Sequence, residues 1–392
     1  MKKIFVLLTA VLLLSGCAFI IDMDEENPDS DTGYNPPVNE SPEPEPSTKP
    51  QNTSLFHEYT QEAMKYLEKM TLEEKIGQMF LVRCPDEVNL DLYLSLKPGG
   101  FILFGRDFAK KTREQVISDI EYYQTKSTIP MIMGVDEEGG TVVRVSSNPL
   151  LSDERFKSPQ ELFELGGLDE IRKDAAEKSK LLLSLGINLN LAPVADVSTD
   201  EADFIYERSF GKNAEETAQY VGTVVEAMKE NNMSSTLKHF PGYGNNLDTH
   251  TGSAYDTRPY EQFENSDFLP FMAGIRSGVQ SVLVSHNVVE SIDNDLPASL
   301  SKKAIDILRN NLEFTGIIMT DDLSMGAVAD LKLEHSVEAS AVLAGNDMLI
   351  VTDYEKSFNA LMDAVEKDEI SVDRIDESVL RILKWKLYMK IM

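Results

Sequence analysis

The chain has 392 residues, of which 42% are hydrophobic, which is enough apolar material for one large core. Its 66 Asp and Glu residues outnumber its 37 Lys and Arg residues, so the formal net charge is -29. This balance argues against nucleic acid as a partner, because phosphates need a basic face to bind. It suits a soluble surface and a neutral or cationic small ligand, and it says nothing about the fold.

The first residues have the pattern of an export signal rather than of a folded element. Two lysines precede an apolar run at 4–14, which is too short to span a bilayer comfortably as a permanent helix. The run ends in a Leu-Ser-Gly-Cys segment that resembles the lipobox of bacterial lipoproteins. The resemblance implies that residues 1–16 are a signal peptide and that Cys17 carries a lipid anchored in the bacterial cell membrane. An ordinary secretory signal with an incidental cysteine is the alternative.

Residues 17–54 are predicted to be a disordered tether. Pro, Glu, Asp, Asn, Ser and Thr dominate from residue 22 onward, as in the stretch SPEPEPSTKP. So few apolar side chains cannot offset the entropy lost when a chain becomes ordered. We therefore expect an extended spacer that has no specific partner and holds the following domain off the membrane.

From residue 55 onward, short apolar runs alternate with amphipathic stretches, which is typical of repeated βα units. Eight strands are predicted, at Gly77–Val82, Gly100–Phe104, Pro130–Val135, Ile187–Ala192, Ser234–Lys238, Ser281–Ser285, Gly316–Thr320 and Met348–Val351. Helices are predicted at Arg113–Gln124, Leu168–Leu185, Ala214–Glu230, Ser301–Asn311, Ser336–Ala344, Glu355–Glu366 and Ser371–Met389. This order favours an α/β fold, a single (β/α)8 TIM-type barrel over 55–392. A doubly wound sheet is the alternative, but no Gly-rich phosphate fingerprint follows the first strand.

Polar residues follow several predicted strands at the point where each strand ends. They are Asp136, Lys238-His239, Ser285-His286 and Asp321. The carboxyl ends of all strands of a (β/α)8 barrel meet at one face, so these four clusters would line one pocket. Each residue alone could be a helix cap or a turn residue, but their joint placement predicts a functional site.

The most informative segment is KHFPGYGNNLDTH, which runs from Lys238 to His250. Its proline and glycines predict a loop after the strand. Asp248 and His250 are two residues apart, so in an extended stretch they point the same way, and the carboxylate can favour a protonated imidazole. A protonated imidazole can act as a general acid near neutral pH. The alternatives are an incidental Asp-X-His and a metal site. No further ligand lies at metal-site spacing, so no metal or organic cofactor is predicted.

This segment resembles the β-N-acetylhexosaminidase branch of family 3 glycoside hydrolases, which acts on peptidoglycan fragments. That branch carries Lys-His-Phe-Pro-Gly followed by Asp-Ser/Thr-His, and the resemblance extends from about Met70 to Met392. It implies that His250 is the general acid/base and that Asp248 is its partner. It also implies that Lys238 and His239 bind the sugar. The β-glucosidase branch of the family lacks the Asp-His pair.

A second match to the family is the segment IIMTDDLSM, in which an apolar strand delivers Asp321 at its C-terminal end. The resemblance implies that Asp321 is the nucleophile that forms a covalent glycosyl-enzyme intermediate. The alternative is that the two acids only mark the end of a strand and the cap of the helix that follows it. We expect Asp322 to cap that helix. Family members usually have a small residue at position 322. A second carboxylate that points inward there would raise the pKa of the nucleophile and slow the first step.

Two further segments match sugar-binding motifs of the family. GVDEEGGTVVR resembles the family's Asp-Gln-Glu-Gly-Gly-Arg-Val-x-Arg, which implies that Asp136 and Arg144 bind sugar hydroxyls. Thr141 stands where the family often has Arg, so a contact at that position is in doubt. The ERSFG match implies that Arg208 reaches the sugar. Without the other motifs, GVDEEGGTVVR would indicate a Gly-rich turn with solvated acids.

Supporting roles are expected for three other residues. Asp196 is expected to support Arg208 or Lys238, and a simple turn role is the alternative. His286 is either a ligand contact or a hydrogen-bonded structural histidine. Cys84 is expected to be a small buried apolar residue without a disulfide partner.

The resemblance as a whole implies a retaining, exo-acting β-N-acetylglucosaminidase. Its expected substrate is the non-reducing-end N-acetylglucosamine of muropeptides, peptidoglycan fragments or related amino-sugar oligosaccharides. We expect a monomer that acts on the extracytoplasmic side of the membrane. Two alternatives stay open, namely a noncatalytic lipoprotein that binds wall fragments, and a β-glucosidase or β-xylosidase of the same family.

Overall fold

The computed structural model describes residues 54–245, 254–329 and 331–392. The predicted signal peptide, Cys17, almost all of the predicted tether, and the segment that carries Asp248 and His250 lie outside these residues. Within the described ranges, no helix is both long enough and apolar enough to cross a membrane.

A closed barrel of parallel strands forms the centre of the fold, which confirms the predicted (β/α)8 architecture. Among the described residues, eight strands join in the order β1-β2-β3-β4-β5-β7-β9-β10, and β10 pairs with β1 to close the ring. These strands are β1 (Phe80–Arg83), β2 (Gly100–Leu103), β3 (Ile132–Val135), β4 (Leu189–Asn190), β5 (Ser234–Phe240), β7 (Ser281–Val284), β9 (Ile317–Asp322) and β10 (Met348–Val351). Two further strands, β6 (Tyr255–Asp256) and β8 (Val288–Val289), form a separate parallel pair.

Helices connect the barrel strands and cover them. The α-helices of five residues or more are Thr60–Leu67, Leu72–Gln78, Glu87–Ser95, Arg113–Lys126, Pro159–Leu183, Ala214–Glu230, Phe268–Ser277, Lys302–Asp306, Val337–Ala344, Tyr354–Glu366 and Val372–Tyr388. Shorter α-helical turns lie at Gly105–Phe108, Tyr260–Gln262 and Gly326–Ala329, 3-10 turns at His57–Tyr59, Tyr206–Arg208 and Ala298–Leu300, and π-helical turns at Phe263–Asp267 and Ile307–Asn311. Side-chain caps set several helix starts. For example, Ser158 Oγ accepts from Glu161 N while the Glu161 carboxylate accepts from Ser158 N.

Most strand boundaries differ from the predicted ones by one or two residues, and the differences at β1 and β4 are the most informative. β1 begins at Phe80 rather than Gly77, because Gly77 belongs to the helix Leu72–Gln78, whose start is fixed by a capping box. β4 pairs with its neighbours over Leu189–Asn190 rather than over the whole predicted range. An apolar run in the sequence therefore locates a barrel strand, but it does not fix the residues at which the backbone pairing of that strand begins and ends.

The helices also differ in part from the predicted ones. The helix predicted at Leu168–Leu185 is found directly after non-helical backbone at Gly166 and Gly167 and ends at Leu183, and a shorter helical stretch that begins at Pro159 precedes it and was not predicted. The helix predicted at Ser301–Asn311 changes from α to π geometry at Ile307. The helix Glu87–Ser95 was not predicted, because it buries just Leu94 and so carries no apolar stripe. The helices Thr60–Leu67 and Phe268–Ser277 were not predicted either.

The last helix closes the amino end of the barrel. Trp385 Nε1 donates to Ser234 Oγ at the start of β5, over 3.1 Å. The neighbouring Lys386 Nζ donates to Pro130 O over 2.7 Å and to Gln78 Oε1. The strands themselves are almost wholly buried, as in the MLIV sequence of β10. Since packed side chains close the amino end, the carboxyl ends of the strands are the face that can admit a ligand.

Cys84 is buried, as predicted, and its thiol is free. Burial raises the pKa of the Cys84 thiol to about 12. A thiol that stays protonated at neutral pH is a poor nucleophile, so Cys84 is a packing residue.

The pH dependence of stability should report on Lys386. Burial lowers the pKa of Lys386 from 10.5 to about 7. Between these two values the unfolded chain holds the lysine proton and the folded chain does not, so the free energy of unfolding rises with pH across this window. The rise should amount to roughly 2 kcal/mol or more. Urea unfolding of the wild type and of Lys386→Met at a series of pH values would measure it.

In Lys386→Met the rise should be absent. Lys303→Met is the matched control, because the Lys303 side chain is 65% exposed and its replacement should leave the pH profile as in the wild type. Parallel profiles for the wild type and Lys386→Met would contradict the lowered pKa.

Candidate active site

A cavity of about 550 Å³ opens at the carboxyl ends of the barrel strands. Every barrel strand contributes to its lining, either by a residue within the strand or by one that directly follows it. These residues are Arg83, Ile102, Asp136, Leu191, Lys238, Leu283, Asp321 and Ile350. Because the barrel surrounds it, the cavity is a pit rather than an open groove. Asp136, Arg144, Arg208, Lys238, His239 and Asp321, all predicted from the sequence, line it together.

Asp321 lies near the carboxyl end of β9, after four fully buried residues, and is partly exposed to the cavity. The backbone N–H of Asp322 donates to Asp321 Oδ1 over 2.9 Å. A buried strand on one side and this local hydrogen bond on the other hold the carboxylate at the cavity wall. The placement is the one expected for a functional side chain at a barrel strand end.

Asp322 also lines the cavity, but it does not cap the next helix as predicted. Its Oδ1 accepts from Ser324 N over 2.9 Å, and its Oδ2 accepts from Thr352 Oγ1 over 2.7 Å. Asp322 therefore closes the turn after β9 and ties it to the end of β10, and the next helix begins further along, at Gly326. These two hydrogen bonds hold the second carboxylate in a structural role.

A buried cluster of opposite charges lies across the cavity from β9. Lys238 Nζ donates to Asp136 Oδ1 over 2.7 Å and lies 2.6 Å from Glu138 Oε1. Arg208 Nε and Nη2 donate to Glu138 Oε2 and Oε1 over 3.0 and 2.8 Å, a two-pronged contact. The cluster joins residues that follow β3 with a residue of β5 and the loop after β4.

Burial and charge act in opposite directions on this cluster. Burial by itself raises the pKa of Glu138, but the positive charges of Arg208 and Lys238 outweigh it and hold the pKa well below its ordinary value. Burial lowers the pKa of Lys238, and Asp136 and Glu138 more than restore it. Glu138, Arg208 and Lys238 are therefore ionised at neutral pH, and the charge of Glu138 and of Lys238 depends on the opposite charges beside it.

The His239 imidazole is oriented by the Asp196 carboxylate. The His239 Nδ1 atom lies 2.7 Å from Asp196 Oδ2, and its Nε2 lies 3.2 Å from Arg208 Nη2. Since a guanidinium can only donate, Nε2 must accept, and Nδ1 must carry the proton that it donates to Asp196. Hydrogen-bond logic thus assigns the neutral Nδ1–H form to His239.

Asp196 supports Arg208 through His239 rather than by a hydrogen bond of its own, and it also has the turn role that the sequence left open. Asp196 accepts from the backbone N–H groups of His239 and Tyr243, over 3.1 and 2.8 Å, in addition to the imidazole. It is fully buried and fixes the turn that follows β5. Its support for Arg208 passes through His239.

Arg144 reaches the cavity from a loop held by a buried carboxylate. Both Glu137 oxygens accept backbone N–H groups of this loop, those of Arg144 and Val145 over 2.7 Å each and that of Ser146 over 3.1 Å. The Arg144 guanidinium lies 5.7 Å from the centre of the Phe104 ring and 3.8 Å from Asp136. The loop therefore presents Arg144 beside Asp136.

The remaining candidates lie away from the cavity. His286 is fully buried, with Nδ1 2.7 Å from Ser299 Oγ and Nε2 3.0 Å from Asp322 O, so it is the structural histidine of the two alternatives. Thr141 is exposed. Over the ranges 54–245, 254–329 and 331–392, no group of three or more His, Cys, Asp or Glu side chains is arranged to hold a metal ion.

Residues 71–385 match the model of the glycosyl hydrolase family 3 N-terminal domain. The chain belongs to this family. It is 29% identical over 327 residues to the β-hexosaminidase LpqI of Mycobacterium tuberculosis, which spans 80% of this chain and 82% of LpqI. It is 31% identical over 276 residues to a β-hexosaminidase of Actinobacillus pleuropneumoniae, over 68% of this chain and 77% of the relative.

The fold of this glycoside hydrolase is also found in solved structures of the family. A family 3 β-N-acetylglucosaminidase from Paenibacillus sp. matches it with a TM-score of 0.75 at 28% identity. The match covers 82% of this chain but 63% of that one, so the present chain spans less than two thirds of the Paenibacillus protein. Residues 1–18 match the model of a prokaryotic membrane lipoprotein lipid attachment site.

Three residues at or next to the cavity of this family 3 enzyme were missed at the sequence level. Glu138 and Glu137 were given no role beyond the alternative of solvated acids in a Gly-rich turn, yet both are buried. Arg83 lines the cavity with its guanidinium 4.6 Å from the centre of the Phe104 ring. A weak signal was available for the two acids, since they directly follow a strand and Asp136, where a barrel places its site residues.

Proposed function

We propose that the protein is a retaining, exo-acting β-N-acetylglucosaminidase that acts on peptidoglycan fragments or related amino-sugar oligosaccharides. The observation that carries this proposal is that Asp321 and the Asp136–Lys238–Glu138–Arg208 cluster line the same pit. The names of the relatives, two β-hexosaminidases and a β-N-acetylglucosaminidase, support an N-acetylated sugar as the substrate.

The charged cluster is suited to binding sugar hydroxyls. A carboxylate such as Asp136 can accept from two neighbouring hydroxyls, while Arg144 and Arg208 donate. Ion pairs already fix these groups before a ligand arrives, so little ordering would be needed on binding. We assign Asp136, Arg144, Arg208, Lys238 and His239 to the site that holds the terminal sugar.

The shape of the cavity supports action at a chain end. Strands surround the pit on all sides and the barrel interior below it is packed, so a sugar chain can enter by its end and cannot pass through. The terminal sugar would lie in the pit, and the rest of the oligosaccharide would extend toward solvent.

The reaction we propose has two steps, with retention of configuration. Asp321 attacks the anomeric carbon and forms an ester, the glycosidic bond breaks, and protonated His250 gives its proton to the leaving oxygen. Neutral His250 then takes a proton from a water molecule whose oxygen displaces Asp321. Asp248 orients the imidazole. These roles of His250 and Asp248 rest on the match to the family motif, and the reaction needs no metal or organic cofactor.

The site of action follows from the lipid attachment motif. The lipoprotein match supports lipidation at Cys17 and anchoring of a monomeric enzyme to the bacterial cell membrane. A lipoprotein of this kind is exported before it is lipidated, so we place the barrel on the extracytoplasmic side, where peptidoglycan fragments are found.

Release of nitrophenol from paired substrates tests the proposal. We expect kcat/KM for 4-nitrophenyl β-N-acetylglucosaminide to exceed that for 4-nitrophenyl β-glucoside at least about 10²-fold, because a site built to bind an acetamido group loses that binding with the plain sugar. The sugar first released, followed by NMR, should be the β-anomer. A preference for the glucoside or xyloside, an α-anomer, or binding of wall fragments without turnover would contradict the proposal.

A further inference from the structure

Arg258 joins two points of the chain between β5 and β6. Its Nη2 donates to Gly242 O over 3.3 Å, and its Nε donates to the Asp256 carboxylate over 2.9 and 3.0 Å. Gly242 lies just after β5, and Asp256 lies in β6. Between these points, the sequence carries Asp248 and His250.

The same guanidinium is bound to the helical region that follows. Arg258 Nη1 donates to both oxygens of Asp267 over 3.0 Å each, and the guanidinium lies 4.3 Å from the centre of the Phe263 ring. The helix after Asp267 packs on β5 through Phe268 and Phe271, whose rings lie 5.7 and 5.2 Å from that of Phe240. Arg258 therefore fixes both points to one rigid support on the barrel.

Arg258 forms a second charged cluster with Asp256 and Asp267, and both of these carboxylates are buried. Asp256 is 4% exposed and Asp267 is 1% exposed. Burial raises the pKa of Asp267 to about 6, even though Arg258 acts to lower it. Removing Arg258 would leave two buried carboxylates without their cation, a state that folded proteins avoid.

Two glycines let the backbone lie directly on this cluster. Gly242 and Gly244 have φ angles of 125° and 52°, in the region that favours glycine. A Cβ atom at Gly242 would lie 2.4 Å from Asp267 Oδ1, and one at Gly244 would lie 2.5 Å from Arg258 Cζ. The chain after β5 is thus packed against Arg258 and Asp267 with no room for a side chain between them.

We propose that Arg258 is a positioning residue for general acid catalysis. By binding Gly242, Asp256 and Asp267 at once, it fixes the described backbone on both sides of the sequence segment that carries His250 and Asp248. This inference rests on the proposed function, which assigns the proton transfer to His250. The step affected is protonation of the leaving group, while attack by Asp321 is left unaltered.

Dependence on the leaving group tests this role. We expect Arg258→Gln to lower kcat/KM for phenyl β-N-acetylglucosaminide about 10²-fold, because phenoxide needs a proton as it departs. For the 2,4-dinitrophenyl glycoside, whose leaving group departs without one, kcat/KM should stay within about threefold of the wild type. The ratio of the two values does not depend on how much of the enzyme is folded, so loss of stability alone cannot produce the change.

Arg309→Gln is the matched control, because Arg309 is also a buried arginine paired with a carboxylate, that of Asp347, at the amino end of the barrel. Its substrate ratio should equal that of the wild type. An Arg258→Gln variant with an unchanged ratio would overturn the inference. If Arg258→Gln does not fold, Arg258→Lys serves instead, since an ammonium group cannot reproduce the fork and the ratio should shift in the same direction.

His250→Ala separates the inference from the function on which it rests. If His250→Ala lowers the phenyl activity selectively and Arg258→Gln does not, the positioning role is wrong and the proposed mechanism stands. If His250→Ala leaves the ratio unchanged, the assignment of the acid is wrong, and the role of Arg258 is overturned with it.

Discussion

Asp321→Asn is expected to lower kcat for a β-N-acetylglucosaminide at least about 10⁴-fold. An amide cannot form the ester intermediate at the anomeric carbon, so the first chemical step is lost. The substitution keeps the shape of the side chain and the oxygen that accepts from Asp322 N, so the folded state should be preserved. Steady-state kinetics with the nitrophenyl substrate, together with thermal unfolding, would measure both effects.

Asp322→Asn is the control for this experiment, because it makes the same chemical change at the next residue. The Asp322 carboxylate accepts from Ser324 N and Thr352 Oγ1, and an asparagine can keep at least one of these hydrogen bonds. We expect a loss of about tenfold or less. A larger loss in Asp322→Asn than in Asp321→Asn would move the nucleophile to Asp322. Mass spectrometry of wild-type enzyme quenched during turnover should find the sugar on the peptide that contains Asp321.

The position of the candidate site could be predicted from strand ends alone. Asp136, Lys238, His239 and Asp321 are far apart in sequence, yet each lies at or just after the end of an apolar strand. Parallel strands in a closed barrel bring these ends together, so recognising the barrel was enough to bring the residues together. His286 follows the same rule in sequence, but it is fully buried and does not line the cavity. The rule places a residue at the rim and does not fix the direction of its side chain.

The partners of these residues could not be predicted, because they are set by three-dimensional packing rather than by local pattern. Glu138 and Arg208 are 70 positions apart, and Asp196 and His239 are 43 apart. In sequence, Glu138 is one of three consecutive acids and looks solvated. Its burial follows from the way the turn after β3 folds inward, where the Glu137 carboxylate accepts the backbone N–H groups of Arg144 and Val145.

Glu138→Gln is expected to lower the free energy of unfolding by about 3–5 kcal/mol, because it leaves two buried cations side by side. Glu138 is the carboxylate that separates Arg208 from Lys238, and Asp136 alone would then face both positive charges. The positions of both cations in the cavity should change, which should reduce kcat/KM about 10²-fold. Urea unfolding at neutral pH and steady-state kinetics would measure these changes.

A second substitution can show that charge imbalance, rather than lost packing, causes the instability. In Glu138→Gln/Lys238→Gln one cation is removed together with one anion, so the net charge of the cluster is the same as in the wild type. The double variant should be more stable than the sum of the two single changes predicts, by about 1–3 kcal/mol. Strictly additive losses would mean that Glu138 and Lys238 do not depend on each other, and the cluster would then be a set of independent contacts. The lowered pKa of Glu138 argues against independence, since Arg208 and Lys238 together are what keep that buried carboxylate charged.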